Sequence, residues 1–177
     1  MTLETISPIS FESVSNVTTD PSVELGMRRS DASGNEYVYV YNLSNVEVPP
    51  GRCVYLPTAS SGYSVTVTNT ASQIGNFAGG VHHATLVTGG YGWIMTKGVC
   101  RVAPDTNAAS FNTDVRITVG VDDGYVPFVM TVASGAADGH LFSNYEGAVG
   151  WTISSGVTQT GTLTSTLGEA RIASRWL

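Results

Sequence analysis

Along most of this chain, apolar and polar residues alternate in short bursts bounded by turn-forming residues. The clearest burst is NEYVYVYNL (35–43), with Tyr37, Tyr39 and Tyr41 on one side of a two-residue repeat and Val38 and Val40 on the other. Successive strand residues point to opposite faces, so this run predicts a strand with one aromatic and one aliphatic face. Ser33, Gly34 and Asn35 before it are turn chemistry. Pro49-Pro50-Gly51 forces a turn ahead of RCVYL (52–56). In YSVTVTN (63–69), Val65 and Val67 are expected inward and Ser64, Thr66 and Thr68 outward.

The same signals continue to the C-terminus. VHHATLV (81–87) and GWIMTKGVCRV (92–102) each follow glycines and are expected to be strands. DVRITVGV (114–121) and YVPFVMTV (125–132) flank Asp122-Asp123-Gly124, which predicts a hairpin. Pro127 assigns its second strand to an edge or a bulge. WTISS (151–155), TQTGTLTS (158–165) and EARIASRWL (169–177) complete the set. No window carries a helical period with caps, and glycine and β-branched residues are scattered throughout. The fold class is therefore all-β: an antiparallel β-sandwich or barrel with an extended N-terminal arm. No fixed-period repeat points to a propeller or solenoid.

Residues 1–24 break the pattern. Leu3, Ile6, Ile9, Phe11, Val14 and Val17 recur without period among Ser, Thr and Glu, with Pro8 and Pro21 as breakers. This predicts an extended arm over 1–24 and a single β domain over 25–177. The arm's apolar side chains need a surface, either their own domain or a partner, and are the candidate partner-binding residues.

Composition narrows the classes. Charged residues are 12% of 177, about half the usual share of roughly 25%, while the hydrophobic fraction is an ordinary 42%. Lys97 is the lone lysine, which hints that much of the surface is covered by neighbours. A net charge of −6 argues against nucleic-acid or anionic-membrane partners, which need a clustered positive field. Arg28-Arg29, flanked by Glu24 and Asp31, is expected to be a solvated turn. No apolar run approaches the ~20 residues of a membrane span, and the N-terminus lacks a signal-peptide pattern. The product is accordingly expected to stay in the cytoplasm or leave by lysis. Cys53 and Cys100, in apolar runs, are expected to be buried free thiols. Asn16-Val17-Thr18 and Asn42-Leu43-Ser44 match the glycosylation pattern but carry no weight without secretion.

Catalytic chemistry finds little support. His82 and His83, adjacent on an expected strand, would point to opposite faces, and no ligand-spaced Cys or carboxylate accompanies them or His140. The expectation is one histidine packed inward on a backbone partner and the other wet, with no metal and no cofactor. SSGYS (60–64) and ASGAADGH (133–140) do not form a nucleophile elbow. Asp122-Asp123 is explained by turn formation, SDASGNE (30–36) matches no calcium loop, and no phosphate-binding glycine loop occurs. Tyr37, Tyr39, Tyr41 and Tyr55 suit either a sugar-binding platform or, the favoured reading, one half-buried sheet face. No enzyme is expected.

The run GGVHHATLVTGGYGWIMTKGVCRV (79–102) is the most distinctive. Its Gly80-Val81, Gly89-Gly90, Tyr91-Gly92-Trp93-Ile94 and Gly98 resemble the head decoration, or cement, proteins of tailed bacteriophages. LGMRRSDASGNEYVYVYN (25–42) and Pro49-Pro50-Gly51 are similar to that family's opening, so the resemblance covers roughly residues 25–130. His82-His83 replaces a small residue usual there, and 135–177 has no counterpart. The resemblance implies a virion structural protein on the capsid surface, assembled in the host cytoplasm, with Tyr91, Gly92 and Trp93 as structural anchors. Implied partners are the major capsid protein and other copies of the chain, for example as a trimer. The alternatives are a tail or fibre component and a carbohydrate-binding β module on the virion.

Overall fold

The computed structural model describes residues 12–57, 62–67, 77–102, 116–119, 128–131, 148–152 and 168–173. Their strands are β1 (Arg28–Ser30), β2 (Glu36–Asn42), β3 (Cys53–Tyr55), β4 (Ser64–Val65), β5 (Phe77–Gly80), β6 (Tyr91–Val102), β7 (Arg116–Val119), β8 (Phe128–Thr131), β9 (Ala148–Thr152) and β10 (Gly168–Ala173). All belong to one hydrogen-bonded sheet with the path β1-β2-β6-β10-β9-β7-β8, from which β3, β4 and β5 branch. The pairings are antiparallel except the short parallel match of β4 to β2. The described residues are all-β, with no helix among them. Their path has two ends, so they do not close into a barrel.

β2 and β6 form the centre. Tyr37 opposes Met95, Val38 opposes Ile94, Tyr39 opposes Trp93, Val40 opposes Gly92 and Tyr41 opposes Tyr91. The two-residue repeat thus sorts the pair into an aromatic and an aliphatic face, and both faces are buried. Tyr37, Tyr39, Trp93 and Met95 join Cys53, Tyr55, Cys100, Val102 and Ile172 in one cluster. Val38, Val40 and Ile94 join Val48, Val54, Val65, Val67, Ala78, Val81 and Leu86 in the other. β3 is buried throughout and feeds both, with Cys53 and Tyr55 on one side and Val54 on the other. At roughly 25 cal/mol per Å² of apolar surface removed from water, these two clusters are the main source of cohesion.

The expected strands 35–43, 52–56, 92–102 and 114–121 lie within two residues of β2, β3, β6 and β7, whereas Arg28-Arg29, expected in a solvated turn, lies in β1, paired with β2. β8 ends the sheet path, as an edge strand following Pro127 should, although Pro127 itself and the hairpin turn 120–127 lie outside the described residues. The expected strand 158–165 also lies outside them.

The expected strand 81–87 needs correction. The strand is Phe77–Gly80, and 81–87 turns away, keeping only an isolated bridge between Leu86 and Val48. The main chain at Val81 bonds instead to Arg52 (Val81 N to Arg52 O, 2.8 Å) and Gly51 (Gly51 N to Val81 O, 2.8 Å). Those bonds commit it to the 49–52 turn rather than to a ladder. β5 itself was obscured by its glycines: at Gly79 a Cβ would stand 2.5 Å from the Met95 carbonyl oxygen, so only glycine permits this approach of β5 to β6. Thr66, expected outward, is 8% exposed and backbone-paired with Tyr55.

Candidate partner-binding site

The start of β6 is where the arm meets the domain, and fully buried Asn42 prepares it. The Asn42 side-chain amide reaches the carbonyls of Val46 (3.0 Å), Leu86 (3.1 Å) and Val87 (3.1 Å), and its Oδ1 accepts from Ser44 N (3.0 Å). Its backbone bonds both ways to the next turn: Asn42 N to Gly90 O (2.9 Å) and Gly89 N to Asn42 O (3.2 Å). Asn42 thus clamps the 86–90 turn onto the end of β2, at a burial that excludes glycosylation. Gly89 takes a φ of 65°, a left-handed conformation that favours glycine.

Residues 12–22 lie against this clamp as a strap. Thr18 and Tyr91 exchange both main-chain bonds, Thr18 N to Tyr91 O at 3.0 Å and Tyr91 N to Thr18 O at 2.8 Å. A Cβ at Gly90 would stand 3.2 Å from Thr18 O, and one at Gly92 would stand 3.3 Å from Val17 Cγ2 and 2.9 Å from Leu86 Cδ1. The two glycines therefore form a seat that any side chain would fill. Val14 packs on the aromatic cluster and Val17 on the aliphatic one, each partly buried. The strap stitches the edges of both clusters together.

Polar contacts dominate the remainder. Tyr39 OH accepts from Ser22 N (3.2 Å) and lies near Ser22 Oγ (3.0 Å) and Thr18 Oγ1 (3.4 Å). The Glu12 carboxylate accepts from Asn16 Nδ2 and Ser22 Oγ, and the Glu12 carbonyl from Arg29 Nη1. Arg29 in turn stands over the Trp93 ring, 5.5 Å from its centroid, in cation–π geometry. Beneath the strap runs an aromatic row: Tyr41–Tyr91 (4.9 Å between centroids), Tyr91–Tyr39 (6.3 Å) and Tyr39–Trp93 (5.2 Å). Trp93 is 7% exposed, and its Nε1 is buried without a hydrogen-bond partner among the described residues.

At the other end of the aromatic face lies a polar corner. The Asp31 carboxylate accepts from Ser33 N (2.8 Å), Asn35 N (3.0 Å), Asn35 Nδ2 (2.8 Å) and Tyr37 OH (3.1 Å). These bonds, that from the Asn35 side chain foremost, hold its pKa below the usual value of 3.8. They build a turn around Gly34, so the oxygen-rich loop is occupied by its own donors. Burial, then Asp31, pushes Tyr37 up to about 12. Tyr37 OH also meets His83 Nε2 at 3.3 Å; since the hydroxyl donates to Asp31, the network assigns the Nε2 proton to His83.

His82 Nδ1 accepts from Arg101 N at 2.9 Å, while His83 is exposed, so one ring is packed on a backbone partner and the other is wet. The opposite-face expectation fails, however: off a strand, the two rings meet edge to face at 4.4 Å. Burial first, then neighbouring His83 and Arg101, lowers His82 to about 4; burial first, then Arg101, lowers His83. Cys53 and Cys100 are buried in the aromatic cluster and are not joined by a disulfide. Burial pushes Cys53 up to about 12 and raises Cys100. Among the described residues, no group of three or more His, Cys, Asp or Glu is placed to hold a metal ion.

The anticipated residues thus divide. Tyr91, Gly92 and Trp93 meet at the strap seat with Val14 and Val17, whose side chains rest on the chain's own clusters. Leu3, Ile6, Ile9 and Phe11 lie outside the described residues. Tyr37, Tyr39 and Tyr55, the core of the possible sugar platform, are at most 2% exposed. Glu12, Thr18, Ser22, Arg29 and Asn42 were not singled out for this role. The glycine spacing in Gly89-Gly90-Tyr91-Gly92 is the signal that could have marked the seat.

No protein-family model matches the chain, and no curated protein matches it. Among solved structures the chain is similar to the head fiber gp8.5 N base in bacteriophage phi29, with a TM-score of 0.44 and 12% sequence identity; the match covers 77% of this chain and 94% of that chain.

Proposed function

We propose that this protein is a virion structural protein of a tailed bacteriophage, a head decoration or cement protein that catalyses nothing. It binds the outer surface of the head and stabilises contacts between major capsid protein subunits. The observation that carries the reading is the use of Tyr91 and Gly92, within the motif behind the sequence resemblance, as a seat for extended chain. A seat made of main-chain pairing and missing side chains receives polypeptide rather than a small molecule. Burial of Tyr37, Tyr39 and Tyr55 leaves the sugar-module alternative without most of its platform.

In this reading Leu3, Ile6, Ile9 and Phe11, ahead of the strap, supply the apolar contacts to the capsid. Each such side chain contributes roughly 1.5–3 kcal/mol when buried. Ordering the backbone costs about 1–2 kcal/mol per residue and offsets much of that. The contribution per copy is modest and gains force by repetition over a shell.

The test is co-sedimentation with heads lacking this gene product, comparing the full chain with a form missing residues 1–11. The full chain is expected to saturate the heads, and the shortened one to keep its fold but lose occupancy. Equal occupancy would remove the arm from the mechanism. Binding to purified tails and not to heads would replace decoration with a tail role.

A further inference from the structure

We infer that His82 is an acid-released latch: adding a proton to its ring frees the loop 82–85 from the end of β6 while the sheet stays folded. The inference uses only contacts within the chain, so it stands or falls apart from the head-decoration reading.

The latch sits where β6 outruns its neighbour. β6 continues to Val102, but β2 begins at Glu36, opposite Lys97, and reaches no further along it. Beyond that point β10 occupies one edge of β6, with Arg171 opposite Val99 and Glu169 opposite Arg101. Residues two apart in a strand send their N–H groups to the same edge, so Val99 and Arg101 share the edge that β2 leaves uncovered. Two side chains take the place of the missing strand. Asn35 Oδ1 accepts from Val99 N at 3.1 Å, and His82 Nδ1 accepts from Arg101 N at 2.9 Å. Gly98, at a φ of 124°, lets Asn35 in, because a Cβ there would overlap its Oδ1.

The two caps answer acid differently. The Asn35 amide does not titrate. The neutral His82 ring carries its proton on Nε2, since Nδ1 is an acceptor. An added proton must go to Nδ1, which then turns a donor towards the donor Arg101 N, and the bond is lost. The surroundings oppose the charge. His83 lies edge to face at 4.4 Å, Arg101 adds a second positive group, and burial outweighs both. Asp31 pulls the other way, but its carboxylate is held by Ser33, Asn35 and Tyr37, and Glu169 stands across the strand on β10. The latched ring accordingly titrates at about 4, and the released ring regains its ordinary value of 6.5.

Release stays local because the loop is anchored at both ends. Val81 keeps its main-chain bonds to Gly51 and Arg52, and Leu86 exchanges two with Val48 at 2.9 Å each. Between these anchors, among the described residues, the hydrogen bonds of 82–85 are those of the two rings. His83 is wired the opposite way: its Nε2–H meets Tyr37 OH, so a proton on its Nδ1 leaves that bond intact. One ring lets go of β6 while the other keeps its place on β2.

Amide hydrogen exchange of the full chain, followed by NMR at pH 7, 6 and 5 and corrected for intrinsic rates, tests the latch. Protection of Arg101 N is expected to fall more than about tenfold from pH 7 to pH 5, while that of Val99 N on the same edge holds. In His82→Asn, whose side-chain oxygen accepts without titrating, Arg101 protection is expected to be flat over the same range. Equal losses at Val99 and Arg101, undiminished protection at Arg101, or a pH dependence that survives in His82→Asn would each overturn the inference. Should that variant not fold, the ring nitrogen shifts of unsubstituted protein supply a second reading. His82 Nδ1 is expected to be unprotonated at pH 7 and to gain its proton in step with the loss at Arg101. A ring that takes up its proton while Arg101 keeps its protection would also overturn the latch.

Discussion

The two faces of the β2–β6 pair come from alternate residues of the same strands, yet they are closed by different means. Behind Val38, Val40 and Ile94 the buried members are all aliphatic: Val48, Val54, Val65, Val67, Ala78, Val81 and Leu86. Nothing there needs a polar partner, so packing alone closes it. Behind Tyr37, Tyr39 and Trp93 each ring carries a polar atom, and burying such an atom unpaired costs about 1–3 kcal/mol. Tyr37 finds Asp31 and His83, and Tyr39 finds Ser22 and Thr18. Trp93 Nε1 finds no partner among the described residues. The aliphatic face takes only Val17 from the strap and is otherwise a plain core, while the aromatic face draws in a turn, a histidine pair and the strap's polar contacts. The interaction surface grows where burial is chemically incomplete.

The largest test of this contrast is Trp93. Trp93→Ala is expected to cost about 3–5 kcal/mol in denaturant unfolding and to raise hydrogen exchange at Thr18 and Tyr91, because the ring supports Arg29 and, through it, Glu12. Trp93→Phe, which deletes the unpartnered N–H, should recover most of that loss. If Trp93→Phe were as damaging as the alanine, the indole nitrogen would have an unrecognised partner.

Ile94→Ala probes the other face one residue away. The side chain is fully buried, and a cost of about 2–5 kcal/mol is expected. Strap exchange protection should change only in proportion to global stability. Selective loss of protection at residues 16–18 would mean that the two faces are not separable.

Acid should distinguish the faces more gently. His82 has a folded pKa of about 4, below its ordinary 6.5, so the unfolded chain binds the extra proton first. Stability is then lost as pH falls from 6.5 towards 4, in an amount reduced by the ring's half exposure. Below that, the lowered pKa of Asp31 adds a loss of the same sign as its carboxylate protonates. Melting of His82→Asn should show a flatter profile between pH 6.5 and 4. An unchanged slope would move the acid sensitivity elsewhere.

The smallest effect is expected at Lys97, whose 2.8 Å ion pair with Glu36 joins side chains 61% and 44% exposed. Lys97→Ala should shift stability by less than about 1 kcal/mol. A larger loss would assign charge a part in holding β2 to β6 that the packing does not require.

The centre of this molecule was legible because it is local. Strict alternation in 35–43 sufficed to place β2 and to separate its tyrosines from its valines, and the apolar run after Gly89-Gly90 sufficed for β6. A period of two states which residues share a face, whatever the rest of the chain does. Whether a face is wet or buried depends on segments distant in sequence, and so does the choice of neighbour for each strand. Only the tertiary structure decided that β10 lies beside β6, that both faces of β2 are covered, and that 81–87 leaves the ladder to serve the 49–52 turn. The strap shows the same division. Its lack of period marked residues 1–24 as an arm, but the seat for 12–22 depends on absent side chains at Gly90 and Gly92, and an absence acquires meaning only when another segment fills it.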